Sequence, residues 1–159
     1  MYNMDNDMND IGSILETLAS SCPHVEVTDL GHGRHYIGTG FTYDDGDELR
    51  IILKRGDDGG WILSDEGHTP MWLSYGGLEM TPSLGSMMGR LLRQNRARSD
   101  SGRITVDIGS PGEVHGCLRS MVQAMIQVAD MSFLNRGPVS DGEPSRGSQM
   151  SGAGSGTSP

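Results

Sequence analysis

Near the start of the chain, hydrophobic residues recur at helical spacing and predict a short amphipathic helix. The residues that carry this spacing are Ile11, Ile14, Leu15 and Leu18. Asn9 or Asp10 can cap the first turn, because side-chain oxygens there accept backbone N–H groups. Pro23 disfavours helical geometry in the residue before it, so we expect the helix to end at that point.

The next part of the chain alternates apolar and polar residues, which is the period of a strand with one buried face. Val25 and Val27 begin this pattern. Further β-rich runs lie at 36–43, 49–54 and 61–63, and turns rich in Asp and Gly separate them at 44–46 and 57–60. Two such turns between β-rich runs predict a three-stranded antiparallel meander.

Helical spacing returns in the second half of the chain. Thr69 and Pro70 resemble an N-cap and a first-turn proline, and they predict a short helix over 71–75 that Gly76 ends. A second helix begins at Thr81 or Ser83 and should bury one stripe. That stripe consists of Leu84, Met87, Met88, Leu91 and Leu92.

The last two predicted elements are a strand and a long helix. Alternation across 104–108 predicts the strand. Ser110, Pro111 and Glu113 then have the arrangement of a capping box, which opens a helix that ends at Gly137 and Pro138. The apolar face of this helix consists of Val114, Leu118, Met121, Val122, Met125, Ile126 and Ala129.

Because strands come mainly before helices, the pattern predicts an α+β fold. We expect a small antiparallel sheet, made of the meander plus additional strands and covered on one face by helices. The 159 residues suit one domain at 10–136, after a flexible N-terminus at 1–9. Residues 137–159 are rich in Gly and Ser and carry little apolar surface, so we expect a disordered tail.

Charge narrows the classes of partner. The chain has 21 acidic and 12 basic residues, a net charge of −9, which disfavours nucleic acid as a partner overall. Lys54 is the only lysine, and Asp outnumbers Glu two to one. This bias is typical of a halophile, for example among the archaea, and equally of GC-rich coding.

Cysteine usage and hydropathy indicate a cytoplasmic protein. Cys22 and Cys117 lie far apart without a repeated spacing, as expected in a reducing compartment. No apolar run approaches the ~20 residues that span a bilayer. The start of the chain lacks the basic and apolar segments of a secretory signal, so we expect no membrane association.

The middle of the chain resembles a known family. The segments that carry the resemblance are 46–53, 60–69, Met71-Trp72-Leu73 and Tyr75-Gly76-Gly77. They are similar to the prokaryotic domain-of-unknown-function family 1828, loosely over residues 24–134, and Leu63–Thr69 is the distinctive motif. The resemblance implies a small prokaryotic domain, often met in mobile-element settings, without an established reaction.

The strongest candidate for chemistry is the turn that contains Asp65, Glu66 and His68. Two carboxylates and an imidazole beside a strand end can bind a divalent metal or act as acid and base. The structural alternative is that Asp65 accepts backbone N–H groups of its own turn, Gly67 adopts positive φ and Thr69 caps the next helix. We favour this structural interpretation.

Other polar groups suggest weaker sites. Zinc could use Cys22, His24, His32 and His35, although their spacing matches no known finger. Calcium could use Asp44, Asp45, Asp47, Asp57 and Asp58, although hairpin turns explain them better. A phosphate or partner surface could use Arg90, Arg93, Arg96 and Arg98, although positive charge also favours a helix C-terminus. The many methionines suit either an adaptable binding groove or, as we favour, the core.

The chain lacks a glycine-rich phosphate loop with lysine, a nucleophile elbow and a His-Glu-x-x-His motif, and we expect no cofactor. Our leading hypothesis is a non-enzymatic binding or regulatory module that acts through protein–protein contact. One alternative is a metal-dependent hydrolase or nuclease that uses Asp65, Glu66 and His68. A second is nucleic-acid binding through the Arg90–Arg98 cluster.

Overall fold

A computed structural model describes residues 4–22 and 24–136 of the chain. The helices are α1 (Met4–Ser21), α2 (His68–Tyr75), α3 (Pro82–Gln94) and α4 (Val114–Ala129). The strands are β1 (Glu26–Gly31), β2 (Arg34–Gly38), β3 (Ile52–Arg55), β4 (Trp61–Ser64), β5 (Arg98–Asp100) and β6 (Arg103–Ile108). Short 3-10 helices at Pro111–Glu113 and Asp130–Arg136 flank α4. The predicted tail at 137–159 lies outside the described residues.

The strands form one six-stranded sheet in the order β1-β2-β3-β4-β6-β5, and each neighbouring pair is antiparallel. This arrangement confirms the predicted α+β fold and the meander, which is β2-β3-β4. The three-residue β5 was not predicted, because Arg98–Asp100 has no apolar alternation to reveal it. It pairs with β6 and places Arg98 at the far edge of the sheet from β1.

The core lies between the sheet and α4. Leu53, Leu63 and Val106 face one another in register across β3, β4 and β6 and are buried. From α4, Met121 and Met125 are fully buried in the same core. Burial of each such side chain contributes about 1.5–3 kcal/mol. Among the described helices, α4 packs most extensively on the sheet, against β4 and β6.

Three predicted elements differ in detail. Helix α1 begins at Met4, ahead of the caps predicted at Asn9 or Asp10. The α3 stripe is only partly buried apart from Leu92, although Thr81 does cap this helix. Helix α4 ends at Ala129, before the predicted stop, because the chain tightens there into a 3-10 helix.

The prediction that β1 has a buried face is wrong. All six residues of β1 are exposed, and Val27 and Leu30 retain 38% and 45% of their surface. The Val/Glu/Val/Thr alternation has the period of a strand, but none of the helices at 4–21, 68–75, 82–94 and 114–129 buries this strand. Strand β1 is therefore an exposed edge.

The methionines divide between core and surface. Met121, Met125 and Met131 are buried, as favoured from the sequence, whereas Met71 and Met80 are exposed. Among the described residues, no helix combines the length and apolar character needed to cross a bilayer.

Candidate functional site

Asp65 follows β4 directly, and its side chain is completely buried. Its Oδ1 accepts the backbone N–H groups of Gly67 and Ile104, both at 2.8 Å, and its Oδ2 accepts that of Thr69 at 3.0 Å. All three donors are backbone groups, and Ile104 belongs to the neighbouring strand β6. The carboxylate therefore fastens the turn to the sheet.

Two consecutive left-handed residues bring the chain back over this carboxylate. Glu66 has φ 55° and Gly67 has φ 80°, and the N–H of His68 donates to the Asp65 carbonyl at 2.9 Å. The predicted positive φ of Gly67 and the hydrogen bonding of Asp65 within its own turn are thus confirmed. Helix α2 begins at His68, so the prediction that Thr69 is its N-cap is wrong. Thr69 instead lies in the first turn, where Asp65 accepts its N–H.

Glu66 points to a different set of partners. Its carboxylate lies 2.6 Å from Lys54 Nζ and 3.4 Å from Arg34 Nη2. Burial alone would raise its pKa, but the hydrogen bond and charge of Lys54, with Arg34 and Ser64, lower the pKa overall. The ion pair with Lys54, the only lysine of the chain, therefore favours the ionised form of Glu66. Glu66 does not share the backbone donors that bind Asp65.

His68 and Thr69 contact a buried tyrosine from the loop between β2 and β3. Tyr43 Oη lies 2.7 Å from Thr69 Oγ1 and 3.3 Å from His68 Nδ1. The Tyr43 ring stacks on Trp72 with centroids 4.8 Å apart, and Trp72 Nε1 donates to Asp45 Oδ2 at 2.8 Å. These contacts tie the loop to α2.

Burial raises the pKa of two groups in this cluster, Tyr43 and Asp65. It raises the pKa of Tyr43 to about 12, so the phenol stays neutral at ordinary pH. Burial also raises the pKa of Asp65, against the opposing hydrogen bonds from Thr69, Gly67 and Ile104. Both groups are placed as fixed hydrogen-bonding partners within the fold.

The candidate metal ligands do not converge in the described part of the chain. No group of three His, Cys, Asp or Glu side chains there could hold an ion together. Cys22 and His24 precede β1, whereas His32 and His35 lie at the opposite end of the β1–β2 hairpin.

The aspartate-rich segments form turns, as predicted. Asp45 Oδ1 accepts the N–H of Asp47 at 3.0 Å, and Asp58 Oδ1 accepts that of Gly60 at 2.9 Å. The first hydrogen bond lowers the pKa of Asp45, with Trp72 adding to the effect. These carboxylates satisfy the backbone of their own loops.

The predicted arginine cluster spans two elements. Arg90 and Arg93 are exposed on α3, Arg96 is exposed just after it with φ 57°, and Arg98 opens β5. Arg98 lies 3.0 Å from Asp107 and 3.5 Å from Asp100. These two carboxylates offset its charge, so it adds little to an anion-binding surface.

The open edge of β1 exposes backbone as well as side chains. The Ile37 N–H donates to Ile51, so the peptide groups of Ile37 face β3. Val27 and Asp29 pair in register with Ile37 and His35. In an antiparallel pair, such residues turn their own N–H and C=O groups away from the partner strand. Val27 and Asp29 therefore direct backbone groups outward at the edge, where no strand among residues 4–22 and 24–136 pairs with them, while Thr28 faces β2.

An apolar groove of about 450 Å³ opens where β1 begins. Its apolar wall consists of Val25, Phe41, Leu118, Val122 and Ile126. Phe41 is 53% exposed, and the other members are buried or half-buried. Sequence reasoning missed this groove, since its wall joins α4 to the ends of the first hairpin. A partial signal was present in the apolar α4 positions 118, 122 and 126, which repeat on one helix face.

Comparison with known proteins gives a family without a described activity. No curated protein and no solved structure matches the chain significantly. Residues 39–128, more than half of the chain, match the model of the family described as domain of unknown function DUF1828. The matched region includes the Asp65 turn and most of α4, and excludes β1 and β2. The chain therefore belongs to the DUF1828 family.

Proposed function

We propose that this protein is a non-enzymatic binding module that recognises a protein partner through the open edge of β1. The observation that carries the proposal is the pair of outward-facing peptide groups at Val27 and Asp29. An extended segment of a partner can add to such an edge, where main-chain hydrogen bonds supply affinity.

The side chains of β1 suit such an addition. Val27 and Leu30 expose apolar surface, and the strand contains no lysine, arginine or proline. Its register with β2 is regular from Glu26 to Asp29 and shifts only between Asp29 and Gly31, so the regular stretch includes both outward-facing residues. The polar groups that suggested catalysis are used differently. Asp65 accepts three backbone N–H groups, and Glu66 forms ion pairs with Lys54 and Arg34.

A pull-down from native extract at high salt tests the proposal. Val27→Pro removes one outward N–H group, and Val27→Thr is its matched control because it keeps that group and the β-branched shape. We expect the native protein and Val27→Thr to retain the same partner, and Val27→Pro to lose it. Equal retention by all three, or no partner and no oligomer by mass photometry, would contradict the proposal.

The metal-dependent alternative has a separate test. Thermal unfolding is measured with manganese, magnesium and zinc for the native protein and for Asp65→Asn. Because the Asp65 carboxylate is buried and already accepts three backbone N–H groups, we expect no metal-induced shift that depends on this residue. A shift in the native protein that the variant lacks would favour the hydrolase or nuclease hypothesis.

A further inference from the structure

We infer that the groove beside β1 binds the C-terminal residue of an extended partner segment, an apolar side chain together with its free carboxylate. This inference rests on the proposed function, since the segment is the one that pairs with β1. It adds a chemical class of ligand: a peptide C-terminus.

The wall of the groove suits an apolar side chain. Leu118, Val122 and Ile126 lie on successive turns of α4. Val25, just before β1, and Phe41, just after β2, close the groove. A volume of about 450 Å³ is sufficient for one large side chain and its terminal carboxylate.

The charges around the groove favour an anion. None of its lining residues is acidic, although the chain contains 21 acidic residues. The lining instead includes Arg119, His24 and His115, and Arg119 forms no ion pair among the described residues. A guanidinium binds a carboxylate through two parallel hydrogen bonds, which an uncharged terminal amide cannot reproduce equally.

The direction of the sheet brings a C-terminus to this place. Every neighbouring pair of strands is antiparallel, and an added strand that continues the pattern runs opposite to β1. Val25 lines the groove and directly precedes β1. The C-terminal end of an antiparallel segment along β1 therefore arrives at the groove.

The probe is a pair of synthetic peptide arrays with the same extended random sequences, one ending in free carboxylates and the other in amides. The full chain is applied to both, and affinities of the best peptides are measured by fluorescence anisotropy. We expect selection of peptides with an apolar last residue, and about tenfold or greater weakening on amidation, as for loss of a charge-assisted hydrogen bond.

Gln123→Glu tests the groove with little change of shape. Gln123 is exposed on α4 and lines the groove, so the variant adds a negative charge without disturbing the core. Ser86→Glu adds the same charge at an exposed position of α3 that lines neither the groove nor the polar pocket beside it. We expect Gln123→Glu to weaken binding of the free-carboxylate peptides several-fold and Ser86→Glu to leave it unchanged.

The possible results separate the two proposals. Binding that Val27→Pro abolishes, but that amidation and Gln123→Glu leave unchanged, overturns the C-terminal inference and keeps the proposed function. Absence of binding on both arrays counts against both. Binding that depends on the carboxylate, Gln123 and Val27 supports both.

Discussion

The Asp65 turn and the β1 edge use their polar groups in opposite ways. At the turn, a buried carboxylate accepts backbone N–H groups from Gly67, Thr69 and Ile104. At the edge, Val27 and Asp29 direct backbone groups away from β2, and every side chain of the strand is exposed in the part of the chain that the structure describes. The polar groups of the turn are satisfied within the chain, whereas those of the edge are the ones that we propose a partner segment pairs with.

Residue type alone does not reveal how the polar groups of these two regions are used in the fold. Asp, Glu and His suggest chemistry, yet in this fold Asp65 accepts the backbone N–H groups of a turn, and Glu66 forms ion pairs with Lys54 and Arg34. An exposed edge strand suggests none, yet it leaves hydrogen-bonding capacity unused. Stability measurements and binding measurements should therefore respond to different regions of the molecule.

The largest expected effect on stability comes from Asp65. Asp65→Ala leaves three backbone donors without their acceptor, two of them in buried hydrogen bonds, and should lower the free energy of unfolding by about 3–5 kcal/mol. Asp65→Asn keeps one acceptor oxygen and should cost less. Urea denaturation measures both, and a loss below about 1 kcal/mol for Asp65→Ala would show that the turn does not depend on this carboxylate.

The next effect comes from the backbone of the same turn. Gly67→Ala places a side chain at φ 80° and should cost about 1–2 kcal/mol. Gly116→Ala is the opposite control, since Gly116 is exposed within α4 with open space around it. It should stabilise the protein by about 0.5–1 kcal/mol. If urea denaturation showed the same change in the free energy of unfolding for both substitutions, the turn would not require glycine at position 67.

Tyr43 gives a pH-dependent test of the packing around the Asp65 turn. Tyr43→Phe loses the hydrogen bond to Thr69 and should cost about 1 kcal/mol at neutral pH. The phenol ionises near pH 10 when unfolded and at about 12 when folded, so its stabilising contribution is complete below pH 10 and is lost as the pH rises toward 12. Phenolate absorbance should show a late step that Tyr43→Phe lacks. A native titration without that step would mean that Tyr43 is exposed.

The smallest expected effect on stability belongs to the edge. Val27→Pro removes an N–H group that has no partner in the sheet and should cost less than about 1 kcal/mol, mainly through backbone geometry. Thr28→Pro removes a group that faces β2 and should cost more. Urea denaturation compares the two variants directly. A larger loss of stability for Val27→Pro than for Thr28→Pro would mean that Val27, and not Thr28, faces β2.

Much of the fold could be predicted because many of its signals are local in sequence. The meander turns, the cap at Thr81 and the apolar face of α4 each depend on local sequence. The exposure of β1 could not be predicted in this way, since a Val/Glu/Val/Thr run has the same period whether or not a helix covers it. Strand β5 was missed because its three residues carry no apolar alternation.

The candidate site could be predicted only in its local part. The hydrogen bond from Gly67 to Asp65 spans two residues, and the sequence indicated it. The bond from Ile104 joins positions 39 residues apart, and the Tyr43–Thr69 contact joins positions 26 apart. Such contacts depend on strand order and loop packing, which local patterns do not contain.

Amide hydrogen exchange of the free protein, resolved by residue with NMR, compares both regions in one measurement. We expect the N–H groups of Thr69 and Ile104 to exchange only through large opening, and those of Val27 and Asp29 to exchange near their intrinsic rates. The amide of Thr28, which faces β2, is the internal control and should be protected relative to its two neighbours. Strong protection of Val27 and Asp29, or rapid exchange of Thr69 and Ile104, would contradict the account.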